Sequence, residues 1–83
     1  MNIKNKIEIV PLTNLMRNKD AKIESIDIQD REKLKKLMSM GVMPGIKIRL
    51  IQKFPSYVFQ VGHSQFATDK ELAECILVRI EKI

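Results

Sequence analysis

Cysteine and histidine are almost missing from this sequence: the 83 residues hold one of each, Cys75 and His63. A lone thiol cannot close an internal disulfide, which points to a reducing, cytoplasmic setting. The same scarcity removes most reactive chemistry. A structural zinc site wants four ligands, usually as Cys-x-x-Cys or His pairs, and neither pattern is present. No nucleophile with a neighbouring base and no pair of convergent carboxylates stands out, so the chain reads as a non-enzyme without cofactor or metal ligands. His63 is expected at an exposed hairpin tip, and Cys75 as a small packing residue closing a short helix. The three glycines are isolated, so no glycine-rich loop can cradle a phosphate and no GTP site is expected.

Long apolar runs are absent as well. Nothing approaches the ~20 residues needed to span a bilayer. The opening Met-Asn-Ile-Lys-Asn-Lys-Ile-Glu lacks the apolar core of a secretory signal. Aromatics make up only 5%. That bears on the net charge of +5, which by itself would suit RNA or an anionic surface. Small basic barrels that bind RNA stack bases on exposed aromatics. Here Phe54, Tyr57, Phe59 and Phe66 alternate in step with core positions, and the lysines are scattered among acids, so no nucleic acid is expected as a partner.

What is present is one stretch with a definite local structure, Leu34 to Gly45. Leu34, Leu37 and Met38 fall at i, i+3 and i+4, one face of a helix. Gly41 can take the positive φ that closes a helix, which makes Leu37 and Val42 the contact pair of a Schellman ending. Pro44-Gly45 fits the central positions of a type II turn. Asp30 is placed to cap the helix, and Glu32 with Lys36 forms an i,i+4 pair of ~0.2–0.5 kcal/mol.

Around that stretch the pattern is mostly of strands. Residues 1–10 alternate loosely through Ile3, Ile7 and Ile9 and read as an extended arm, an edge strand or a disordered tail; residues 11–83 read as one domain. Pro11 to Met16 suggests a turn of helix with Leu12, Leu15 and Met16 on one face. Ala21 to Ile28 is a strand whose alternation slips, so a bulge is expected. Ile46 to Phe54, then Tyr57 to Val61, then Ser64 to Ala67 follow as strands, the last two joined by a II′ turn at Gly62-His63. Thr68 with Glu71 reads as a capping box before a short helix, and Ile76, Val78 and Ile80 alternate in a closing strand. About five strands, with a helix between the first and the second, suit a small, strongly bent antiparallel sheet closing into a barrel.

The residues Leu37-Met-Ser-Met-Gly-Val-Met-Pro-Gly45, followed by a strand, resemble the Leu-x-x-Met-Gly-x-x-Pro-Gly signature of the FeoA family. Pro11-Leu-Thr-Asn-Leu15, Gly62, and Ala73 with Ile76 and Val78 resemble that family's flanking elements in order. The resemblance covers about residues 11 to 81. It implies an SH3-like barrel and a binding role toward FeoB, a membrane ferrous-iron transporter with a cytosolic GTPase domain. It also implies a protein held at the inner face of the membrane through that partner. Two departures are the loop Arg17-Asn-Lys-Asp20, which replaces a glycine-containing turn, and the longer arm at residues 1–10. Related domains close metal-dependent repressors, so a metal-responsive regulatory domain is an alternative, as is the RNA-binding barrel. Met38, Met40 and Met43 read either as adaptable packing or, for Met40 and Met43, as an exposed patch for the partner; a thioether copper site is a third reading. An exposed edge strand or the arm also allows weak self-association.

Overall fold

A computed structural model describes residues 6–82, so Ile3 of the expected alternation lies outside the described residues. Six strands form one antiparallel sheet: β1 (Lys6–Pro11), β2 (Asp20–Ile26), β3 (Lys47–Gln52), β4 (Tyr57–Val61), β5 (Ser64–Thr68) and β6 (Ile76–Lys82). Their order across the sheet is β1-β6-β2-β3-β4-β5. Two helices interrupt the strands, α1 (Arg31–Ser39) between β2 and β3 and α2 (Lys70–Cys75) before β6, and a 3-10 turn (Leu12–Asn14) follows β1. Residues 6–11 are thus a strand of the same sheet, paired with β6 from Lys6 opposite Lys82 to Pro11 opposite Leu77. Among the described residues no pairing joins β1 to β5, so the sheet remains unclosed.

Period-two alternation sets the core. Ala21 and Ile23, Ile48 and Leu50, Phe59 and Val61, and Ile76 and Val78 all face inward and are buried, with Leu12, Leu15, Leu37, Val42 and Ala73 sealing the ends. Phe59 and Phe66 meet across β4 and β5 with ring centroids 5.7 Å apart. The slip in β2 is a bulge: Ile23 faces Val78 and Ser25 faces Leu77, leaving Glu24 as the extra residue. A second bulge falls in β3, where Leu50 faces Phe59 and Gln52 faces Val58, with Ile51 extra.

That second bulge corrects the reading of Ile46 to Phe54 as one strand with a single buried face. An extra residue reverses the alternation beyond it, and Phe54 emerges 85% exposed past the end of β3. Two further positions differ. Leu15 already has extended dihedrals after the 3-10 turn, so Met16 leaves the face shared by Leu12 and Leu15 and is exposed. At α2 the cap is Asp69 rather than Thr68, its carboxylate accepting from the Leu72 amide at 2.7 Å. Between adjacent candidates the carboxylate takes the cap because it also favours the positive end of the helix dipole.

Candidate functional site

The geometry of the helix–turn corner starts with Asp30, whose carboxylate accepts from the amides of Glu32 (3.0 Å) and Lys33 (3.3 Å). These bonds satisfy donors that the first turn of α1 leaves open. At the other end the Val42 amide donates to the Leu37 carbonyl and the Gly41 amide to the Met38 carbonyl, each at 3.0 Å. This is the paired hydrogen-bond pattern of a Schellman motif. Gly41 sits at φ +90, and Leu37 and Val42 are both buried. Next, the Ile46 amide donates to the Met43 carbonyl across Pro44 and Gly45 (3.2 Å), with Gly45 at φ +89. That combination is a type II turn. The turn is latched to β2 at its bulge: the Gly45 amide donates to the Ile23 carbonyl (2.7 Å), and the Ile23 amide to the Ile46 carbonyl (2.9 Å).

The methionines do not share one environment. Met43, in the turn, is 37% exposed and Met38 45% exposed, whereas Met40 is partly buried against the core. Met38 departs from the apolar face because one step of about 100° carries it away from the buried Leu37. Met40 instead lines a groove of about 570 Å³ between α1 and α2, with Leu37, Phe59 and Leu72 among its other apolar walls. Lys33, Lys36 and the capping Asp30 stand on the α1 side of this groove and Asp69 and Glu71 on the α2 side. The sequence pattern of α1 alone could not show it, because Phe59 and Leu72 come from distant segments. The signal available was the second amphipathic helix.

Reactive groups do not converge. His63 is exposed in the β4–β5 turn. The partly buried Cys75 donates its thiol to the Glu71 carbonyl at 3.4 Å within α2. Among the described residues no group of three or more His, Cys, Asp or Glu side chains is arranged to hold a metal ion. The best-defined charge cluster lies on the sheet. Asp20 accepts from Arg49 Nε at 2.7 Å and from Arg49 Nη2 at 3.3 Å, with Lys47 Nζ at 3.8 Å. The Arg49 hydrogen bond draws the Asp20 carboxyl below its ordinary value, and Asp20 in turn raises Arg49.

No curated protein matches the chain in sequence. Among solved structures it is similar to an iron uptake regulatory protein, FeoA (28% identity, TM-score 0.76, covering 90% of this chain and 99% of that one). It is also similar to the Stenotrophomonas maltophilia FeoA, solved with zinc and described as a procaryotic SH3 domain protein (24%, TM-score 0.74, 83% and 88%). T. acidophilum IdeR shares the fold over 93% of this chain but only 36% of its own (22%, TM-score 0.78). The FeoA domain model matches residues 10–80, and the chain therefore belongs to the FeoA family, which is linked to ferrous iron transport.

Proposed function

We propose that this chain is a non-enzymatic accessory protein of ferrous iron uptake, which binds the FeoB transporter on its cytosolic GTPase side and biases its cycle. The observation that carries the reading is the family match over residues 10–80. The local geometry supports it: a hydrogen-bonded corner presents Met43, and beside it Met40 lines an apolar groove rimmed by charges of both signs. Apolar walls with charged rims suit a protein segment better than a small polar substrate. To bias a cycle, the chain must bind two states of its partner with different affinity.

The test is a binding titration of the full chain against the transporter's cytosolic domain, with and without guanine nucleotide. A mixed RNA at two salt concentrations serves as control. The expected result is saturable binding whose affinity differs between nucleotide states, and no RNA binding that weakens steeply with salt. Binding to RNA alone would reverse the assignment. Met43→Ser should weaken the transporter interaction and leave the melting temperature unchanged. Met40→Ser should weaken it too but also lower the melting temperature, because that side chain packs on the core.

A further inference from the structure

Two neighbouring turns carry the two most exposed large apolar side chains of the described residues, Phe54 at 85% and Met16 at 67%. The first turn is Met16-Arg-Asn-Lys19, closed by the Lys19 amide donating to the Met16 carbonyl at 3.2 Å, with Asn18 at φ +64. The second is Lys53-Phe-Pro-Ser56, held where Gln52 Nε2 donates to the Ser56 carbonyl at 3.3 Å. The pairing of β2 with β3 puts both at one end of the sheet. Asp20 opposes Arg49, and the Asn18 amide donates to the Leu50 carbonyl at 2.7 Å. The first turn thus lies against the length of β3 that leads into the second. Every charge in the two turns is positive: Arg17, Lys19 and Lys53, all exposed. The adjoining Asp20 is already engaged by Arg49 and Lys47. Glu8 and Glu81 share an open cleft with Met16 and Lys19 and are the remaining acids nearby.

We propose that this end of the sheet is a peripheral docking surface for an anionic lipid membrane. Apolar tips flanked by cations are the pattern by which a soluble domain seats side chains among headgroups while its charges meet anionic lipid. The occupant is lipid rather than a protein because the tips stand on two separate turns. A protein would have to supply a shaped receptor for each, whereas the fluid boundary zone of a bilayer accepts both. The inference does not rest on transporter binding.

The experiment is flotation of the full chain with vesicles of equal parts phosphatidylglycerol and phosphatidylcholine, against vesicles of phosphatidylcholine alone, at low and high salt. Binding is expected to the anionic vesicles only and to weaken with salt. Phe54→Ser and Met16→Ser should each lower it several-fold at an unchanged melting temperature. Arg17→Gln and Lys19→Gln should cost about fivefold each, and Glu81→Gln should strengthen binding. Lys33→Gln with Lys36→Gln on α1 removes the same charge elsewhere and should matter much less. The proposal is overturned by absent vesicle binding, by an inert Phe54→Ser, or by an α1 pair that costs as much as the turn pair. A Phe54→Ser effect on the cytosolic domain without any vesicle binding would equally overturn it, in favour of a protein occupant.

Discussion

At Gly41 a Cβ would stand 3.5 Å from Val61 Cγ1, an ordinary contact, and at Gly45 nothing lies within 4 Å. Space therefore does not require glycine at either position; the positive φ does. Gly41→Ala and Gly45→Ala should each destabilise by about 1–2 kcal/mol, as read by urea denaturation, the cost of placing a Cβ in the left-handed region. A much larger loss at Gly41 alone would mean that Val61 cannot give way. Asp20 offers a second test at this scale. Its carboxyl is held below the ordinary value by Arg49 and Lys47, so its contribution to stability is fully present at neutral pH. That contribution is lost as pH falls below about 4 and through the folded value. The melting temperature of Asp20→Asn should therefore fall less steeply on acidification than that of the parent chain. Because the group is exposed, the difference should shrink in high salt.

Elements were legible in the sequence where a local rule acts alone. Asp30, the helix stop before Val42 and the two-residue turn after Val61 each depend on residues within a few positions, and the β2 bulge shows as a local slip in which Ile23 falls out of phase with Ile26. The errors have a different origin. Thr68 satisfied a capping pattern, yet neighbouring Asp69 forms the bond to Leu72; Asp69→Ala should cost about 0.5–2 kcal/mol and Thr68→Ala less, by thermal denaturation. Phe54 alternated correctly with Ile48 and Leu50, but the extra residue at Ile51 is defined only against β4, so no single-strand pattern could reveal it. The expected Glu32–Lys36 pair likewise depends on side-chain placement. Among the described residues the i,i+4 pair within 4 Å is Lys70–Glu74, at 3.9 Å.

For the molecule as a whole, the sheet is held by pairs remote in sequence, since β1 and β2 both lie against the final strand. The closing strand was readable from its alternation, but not that residues 6–11 would flank it, because an edge strand with Ile7 and Ile9 exposed looks like an arm when read alone. Removing residues 1–10 should uncover one side of β6. The expected result is a lower melting temperature and concentration-dependent association in light scattering, since an unprotected strand edge invites pairing. The groove was invisible for a related reason: α1, α2 and β4 contribute to it jointly.

The two backbone hydrogen bonds that fasten Gly45 and Ile46 to Ile23 couple the exterior of the molecule to its middle. In deuterated solvent the amide protons of Ile23 and Gly45 should exchange at a common slow rate, because neither is released until the corner lifts from the bulge. Occupation of the corner should slow both together, including the one on a residue that a visitor never touches.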